Sequence, residues 1–572
     1  MTLPGAAQPV PQPIRDPRWG AMALAIALLA LLASVTSLHN GFSYDDRWIV
    51  VENPRLHALR TFWHYFGETY WPTTNGGKLY RPFVILAYAV QWAVGGGAPL
   101  VFHLVNVGLA VACAMTVFWV AGFLVAPPVA WLAAALFAVH PVHVEAIANV
   151  VGQAELWTAL LVLLAFGLYA RDRRDGSLRR RTGVGICALF IVALGTKENG
   201  IVLPALFLAA ETLFYRDGTV WQRLRRLRWL LWPMLALVAI YLVIRIQVAG
   251  DIAGDIEHPS LSYRAPVERA FIMLGVAPEY GRLLLWPARL YADYSPRMLM
   301  VYPAPHASQI GGALLVVCLV ALLALTVRRA PAVAFGVAWF ALTIAPVTNV
   351  AIPTGVLLAE RTLYLPSAGV LVAIAFGLQR LSARVRLAVP AWWRRAPHLL
   401  AAALLVAGVA RSSARNGFWH DSATTFRQMV DDEPYSFKAH HAWGGHLFEN
   451  GRLKDGEAEW RLAIALMPGY HGVYLDLAHK YREAHMCQAA VPLYRKVIAL
   501  EPELPTPRVY LVACLLELGR WREARSAARV GVAFGNARQP YLYMIDRADS
   551  ALVARDSIDP MIGAKWLRRQ PR

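Results

Sequence analysis

Apolar runs separated by short polar connections dominate the first four hundred residues of the chain, and the last hundred and sixty read differently. A bilayer core about 30 Å thick needs roughly 20 apolar helical residues. About eleven runs approach that length: 19–38, 99–125, 127–146, 154–170, 183–197, 199–215, 229–248, 309–327, 331–348, 364–380 and 397–411. Several are short for a clean span. Such helices are expected to stop at irregular backbone lined by protein rather than at lipid. The pattern predicts an all-α, polytopic helical bundle.

Composition agrees. Of the 572 residues, 57% are hydrophobic and 16% charged, with a mean hydropathy of +0.41, which points to a membrane protein and away from a soluble one. The formal charge of +19 is expected in cytoplasmic loops and at lipid headgroups, not against nucleic acid. Arg15 and Arg18 precede the first run, and the connections 171–181, 216–228, 327–331 and 379–395 are all rich in arginine. The alternate connections, 39–80 and 249–305 among them, mix acids and bases evenly. Basic residues near span ends stay cytoplasmic. One topology satisfies every loop: tail 1–18 inside, loop 39–80 outside, and everything after 411 outside. Reading 19–38 as a cleaved signal peptide leaves that loop outside as well.

Beyond 411 the long apolar runs cease, and 436–536 repeats itself. Pro468 and Pro502 stand 34 residues apart within "AIALMP" and "VIALEP", and Gly451 and Gly519 stand two such periods apart. On this spacing Gly444 and Ala478 take the small position of a first helix, Ala490 and Ala524 that of a second, and Trp460 and Tyr494 the large aromatic position. Small residues where helices touch, a closing proline and a 34-residue period are the tetratricopeptide signature. The prediction is a solenoid of about three repeats, the smallest array expected to hold together. It is set off from a membrane domain (19–411) by a linker (412–435) and followed by a helical cap or tail (537–572). Cys113, Cys187 and Cys318 read as packing thiols. Whether Cys487 and Cys514 pair is left open by their spacing.

Ionisable residues cluster where the runs end on the side assigned outside. "YDDRW" carries Asp45 and Asp46; "HPVHVEAIANVVGQAE" carries His140, His143, Glu145 and Glu155; "TKENG" carries Lys197 and Glu198; "AERTLYLPS" carries Glu360 and Arg361. Such groups in or beside hydrocarbon cost several kcal/mol unless partnered, so a functional site is the default reading. Asp45 or Asp46 is the candidate catalytic base for an attacking hydroxyl. Lys197, Arg361, His140 and His143 are candidates to bind a phosphate leaving group, and Glu145, Glu155, Glu198 and Glu360 to support them. Each has a plainer alternative: Lys197–Glu198 and Glu360–Arg361 as structural ion pairs, the histidines as helix-end caps, Asp45 as an N-cap. Displacement at a sugar carbon with one base and no covalent intermediate would invert its configuration. Proton-coupled transport would use a similar inventory. No metal site is dictated by spacing. The first loop lacks a DxD motif, although Asp45 and Asp46 could hold a divalent cation. "TFWHYFGETYW", 61–71, is expected to lie in the headgroup plane.

In "YDDRWIVVENP", "YRPF", "FHLVNVGL", "FAVHPVHVEAIANVVGQAE", "TKENGIVLP", "LLLWPARLYADYS", "APVTNVAIPTGVLLAERTLYLPS" and "RNGFW", taken in order with the repeats, the chain resembles bacterial members of the transmembrane and tetratricopeptide-repeat protein O-mannosyltransferases, in the C-type integral-membrane glycosyltransferase superfamily. The resemblance implies a polyprenyl-phosphate-sugar donor, a protein Ser or Thr acceptor, and a catalytic acid in the first external loop, at Asp45 or Asp46. It implies that "HPVHVEA" and "LAERTLYLPS" border the cavity, and that the enzyme sits in a cytoplasmic membrane with its repeats on the extracytoplasmic side, where they would dock the acceptor. One departure is "VGQAE" at 151–155 where relatives commonly read "VGRAD", which removes a positive charge at Gln153. Two other readings stay open: a lipid-linked-sugar transferase acting on a glycan or lipid, and a non-enzymatic anchor for a repeat module in envelope assembly.

Overall fold

The structure is a computed structural model that describes residues 17–72, 78–252, 260–261, 264–294, 306–388, 395–533 and 538–553. Most of the 1–18 tail and of the 537–572 segment lies outside the described residues. Helices make up nearly all the regular structure. The chain divides into two compact units, 1–432 and 433–572.

The first unit contains α1 (Pro17–Ser34), α2 (Pro82–Gly95), α3 (Pro99–Leu124), α4 (Pro127–Val139), α5 (Val144–Ala148), α6 (Gln153–Arg174), α7 (Arg180–Thr196) and α8 (Leu203–Ala209). It continues through α9 (Val220–Ala249), α10 (Pro266–Leu285), α11 (Ala307–Thr326), α12 (Pro331–Ile344), α13 (Tyr364–Ala388), α14 (Ala396–Asn416) and α15 (Ser422–Asp432). Proline at the first or second position starts many of them, where its missing N–H would have had no intrahelical acceptor. Helix α3 is the hub and packs on α1, α4 and α6. Between α12 and α13, Gly336 and Gly369 face each other's backbone so closely that a Cβ on either would strike the partner's carbonyl. Small residues permit that approach where no hydrophobic effect drives helices together.

Among the described residues seven helices are long and apolar enough to cross a membrane, or eight if α4 and α5, bent by 50° at His140, form one broken span. The expectation of about eleven is not confirmed by this count, which leaves two shorter apolar helices, Pro82–Gly95 and Pro331–Val347, beside it. The runs 183–197, 199–215 and 331–348 become shorter pieces: α7, then a tight turn of helix at Glu198–Val202, α8 and a widened turn at Ala210–Phe214, and α12. Phe190, Leu203, Leu206 and Phe207 are fully buried. Protein covers one side of these short elements, although Val184, Ile201 and Leu208 are exposed, and irregular backbone is tolerated where protein covers it. By contrast α9 and α11 bury little of their surface, and Cys318 on α11 is exposed rather than packed. Residues 412–435, expected as a linker, are largely helical and belong mostly to the first unit.

The second unit is built of helix pairs: α16 (Phe437–Glu449) with α17 (Leu453–Leu466), α18 (His471–Glu483) with α19 (Cys487–Leu500), and α20 (Pro505–Glu517) with α21 (Trp521–Ala533), followed by α22 (Arg538–Val553). The first helices of the pairs begin at a constant step of 34 residues, and so do the second. Gly444 lies against the Trp460 indole, while Ala478, Ala490, Ala524 and Tyr494 are fully buried. A disulfide joins Cys487 to Cys514 across α19 and α20, with Cα atoms 5.1 Å apart.

Candidate active site

After α1 the chain makes a tight turn and is then tied to the end of α14. Asn40 Nδ2 donates to Asn416 O (2.9 Å), Gly41 N donates to His420 O (2.7 Å), and Asn416 Nδ2 in turn donates to Ala33 O (3.0 Å). "RNGFW" thus anchors the first loop. Tyr44 follows in the left-handed region, at φ 53, with its ring edge-on to Trp419 and Phe426. A bulky residue there is an outlier of the kind that clusters at functional sites. The reversal sends the two next side chains to different fates. Asp45 remains partly exposed. Asp46 is fully buried and accepts from Ser43 N (3.1 Å), Val150 N (3.3 Å) and Val151 N (2.8 Å), which fastens the loop to the turn before α6. Burial pushes the Asp46 carboxyl up to about 7, against the opposing pull of its three N–H donors.

The bend between α4 and α6 supplies the facing wall. His140 Nδ1 accepts from Val142 N and its Nε2 lies 3.1 Å from Leu284 O; His143 Nδ1 lies 2.9 Å from Phe137 O and Nε2 2.9 Å from Ser367 Oγ. All four ring nitrogens are engaged with protein, so the structure gives both histidines to packing of the bend instead of to phosphate. Glu145, buried, accepts from both the backbone N (2.8 Å) and the guanidinium of Arg361. Glu155 at the start of α6 pairs with Lys197 at the end of α7. Gly152 lies against the Ala146 backbone, a contact that a Cβ would break and that shapes the turn offering its N–H groups to Asp46. Gln153, the position of the lost positive charge, is fully buried and exchanges hydrogen bonds with Gln91 and Asn106.

Glu198 accepts from Arg81 (2.9 Å) and Arg245 (2.7 Å), and the Arg81 guanidinium lies over the Tyr70 ring. Glu360, next to Arg361 in sequence, turns the other way and accepts from Tyr291 N (2.6 Å) and Tyr294 OH (2.8 Å). The charges of Asp45, Asp293, Glu145 and Arg361 act on Tyr44. Desolvation and these acids hold the Tyr44 phenol well above its ordinary value. The charges of Asp45 and Glu155 also act on Arg361, and those of Arg81 and Arg361 on Lys197. One connected row of charges therefore runs from Asp45 to Arg245 at one end of the bundle. Asp45, Glu145, Glu155, Lys197, Glu198 and Arg361 fall in it; His140, His143 and Glu360 serve its walls. The sequence reading did not single out Tyr44, Arg81, Arg245 or Asp293 as site residues. "YRPF" and "LYADYS" carried the signal for Arg81 and Asp293, and Arg245 was masked by its place near the end of an apolar run.

No family profile matches the chain. Its sequence aligns with protein O-mannosyl-transferase TMTC3 of Mus musculus at 24% identity, covering 86% of this chain and 61% of that protein, and with TMTC4 of Homo sapiens at 27%, covering 77% and 66%. This chain is similar to protein O-mannosyl-transferases. The similarity extends through both units, and the chain spans about three fifths of the length of the TMTC3 relative. A crystal structure of the Archaeoglobus fulgidus oligosaccharyltransferase shares a TM-score of 0.42 at 13% identity, covering 73% of this chain and 58% of that one.

Chemically, the row offers two accessible carboxylates, Asp45 and Glu198, a partly exposed guanidinium at Arg361 and further cations beyond it. Asp46 has committed both oxygens to backbone donors, so it fits a metal ligand poorly, and the described residues bring together no group of three or more His, Cys, Asp or Glu suited to a metal ion.

Proposed function

We propose that the protein is an integral-membrane transferase that moves a sugar, with mannose the first candidate, from a polyprenyl phosphate to Ser or Thr hydroxyls of proteins on the extracytoplasmic face of a bacterial cytoplasmic membrane. Asp45 is the base. The observation that carries this reading is the split between two adjacent acids: Asp46 is spent on three backbone N–H groups, while Asp45 is left partly exposed beside Arg361 by the turn at Tyr44. The acceptor hydroxyl attacks the sugar carbon as its proton passes to Asp45, the carbon–oxygen bond to phosphate breaks, and the electron pair leaves on phosphate oxygen. Configuration inverts, because no covalent intermediate is formed. Asp46 positions Asp45 and does not touch substrate.

Similarity to protein O-mannosyl-transferases over both units supports the reaction class, and the arginine-rich connections support the orientation. The Cys487–Cys514 disulfide adds to this, since such bonds persist in oxidising compartments. The helix pairs, read as tetratricopeptide repeats, would dock the acceptor protein.

The test is transfer from labelled polyprenyl-phosphate mannose in membranes holding wild type, Asp45→Asn or Asp46→Asn. Asp45→Asn should lose about a hundredfold or more while keeping its melting temperature. Asp46→Asn keeps the same shape and should lose less, with a shift in its stability profile. Full transfer by Asp45→Asn would remove the base from the proposal.

A further inference from the structure

The row of charges is polarised. At the Asp45 end Glu145 pairs with Arg361, and the charges of both, with those of Asp45 and Asp293, act on Tyr44. At the other end three cations, Arg81, Lys197 and Arg245, share two carboxylates, Glu155 and Glu198. Glu198 is the accessible member of that second group, its side chain 28% exposed, and it bridges Arg81 to Arg245 as an anion would. Arg245 is almost completely buried, and its Nε–H has no hydrogen-bond acceptor among the described residues. A buried cation with an unused donor, in a group carrying one surplus positive charge, is prepared for an anion.

We propose that this end, Arg81 and Arg245 with Lys197, receives the phosphate of the lipid donor, and that Arg361 does not. The inference rests on the transferase reading above and adds the direction of the reaction to it. In an inverting displacement the attacking hydroxyl and the departing phosphate lie on opposite faces of the sugar carbon. The base is among the acids, so the leaving group belongs across from it among the cations, where Arg81 lies over Tyr70, a ring that the charges of Asp45 and Asp46 also reach. A phosphate on Arg361 would sit beside Asp45, on the same face as the nucleophile and among three carboxylates that repel it. Arg361 instead holds Glu145 and borders the base. On arrival the phosphate competes with Glu198 for the two guanidinium groups, whose planar forks suit its oxygens. As the carbon–oxygen bond breaks, the charge gained by phosphate is neutralised there.

The experiment measures binding of undecaprenyl phosphate and of uncharged undecaprenol to the purified full chain in nanodiscs. Wild type should prefer the phosphate. Arg81→Gln and Arg245→Gln should each lose about tenfold of that preference, while the exposed Asp175→Asn keeps it and Arg361→Gln loses clearly less than either. Arg81→Lys, which keeps the charge without the fork, should show an intermediate loss and replaces Arg81→Gln if the latter fails to fold. Glu198→Gln decides the matter: freeing both arginines should tighten phosphate binding, an outcome that a purely structural role for Glu198 does not produce. Loss at Arg361→Gln equal to that at Arg81→Gln, or weaker binding by a folded Glu198→Gln, overturns the assignment and leaves the transferase reading standing. Equal binding of both lipids by wild type overturns both.

Discussion

Helix α6 carries an ionic group at each end, and the two are built differently. At its C-terminal end Glu211, buried, accepts from Tyr169 OH (2.5 Å) and from Arg173 Nε (2.6 Å) and Nη2 (3.1 Å), with Arg223 at 3.8 Å. Arg173 also pairs with Asp217 (2.7 Å) and lies over the Tyr215 ring. Every member there has a partner within the fold. At its N-terminal end Glu155 holds Lys197, and the charges continue to Arg361 and on to Asp45, which is partly exposed. The first group is closed on itself and holds the bundle together. The second reaches partly exposed side chains at Asp45, Glu198 and Arg361 and can respond to a substrate.

The largest effect expected from that contrast is on stability at the closed end. Glu211→Gln removes the carboxylate shared by two nearly buried arginines; Arg173 keeps Asp217, but Arg223 is left with backbone carbonyls, and an uncompensated buried charge costs about 3–5 kcal/mol. Thermal unfolding in detergent should fall sharply, and transfer should fall with the amount of folded protein and no further. A Glu211→Gln protein with wild-type melting would mean that the end is not closed.

Glu155→Gln comes next. Lys197 loses its carboxylate and is left with the cations Arg81 and Arg361, but an ammonium, unlike a guanidinium, can shed its proton and escape that repulsion, so the stability loss should be smaller, about 2 kcal/mol. Its transfer activity should fall by more than its folded fraction does. A loss explained wholly by unfolding would place Glu155–Lys197 with the structural pairs.

The contrast also shows where the amino-acid pattern was informative. Glu145, Glu155, Lys197 and Arg361 stand out because ionisable side chains beside apolar runs need a reason, and the structure joins them. The same rule misled at His140 and His143, whose rings serve backbone and hydroxyl groups of the bend, a use that residue type does not disclose. It was silent on Arg81, which sits in a polar stretch where an arginine is unremarkable. Asp45 and Asp46 could not be told apart because their difference arises from the φ of the residue before them. The span count is unconfirmed at α7, α8 and α12, where the helices are shorter than the runs suggest, because an apolar run does not say whether lipid or protein covers it. The 34-residue period, in contrast, is a purely local regularity and was readable without tertiary knowledge.

A third prediction concerns pH at the open end. The folded Asp46 carboxyl titrates at about 7, above its ordinary 3.8, so the folded state binds this proton more tightly than the unfolded chain does. The stability it contributes is fully present below 3.8 and is lost as pH rises from there through about 7. Asp46→Asn cannot titrate. The melting temperature of wild type relative to this variant should therefore fall across that interval and level off above it. A parallel pair of profiles would show that the buried carboxyl keeps its ordinary value.

The smallest effect lies just past the closed end, where α6 gives way to the next turn and two acids three residues apart separate burial from mere pairing. Asp175 bonds Arg179 at 3.1 Å, but both side chains are about half exposed. An exposed pair gains little over hydration and is screened by salt, so Asp175→Asn should move stability by less than about 0.5 kcal/mol. Asp172 is fully buried and accepts the Arg179 backbone N–H (2.9 Å) as well as bonding Arg171 (3.3 Å). Asp172→Asn substitutes an amide for an acceptor, weakening a charge-assisted bond to backbone, and should cost about 1–3 kcal/mol. Both variants carry the same change of charge at nearly the same place, so long-range electrostatics cancels between them. A difference in their melting temperatures measures burial alone, and equal shifts would mean that net charge in this loop, not the closed packing at the end of α6, sets its stability.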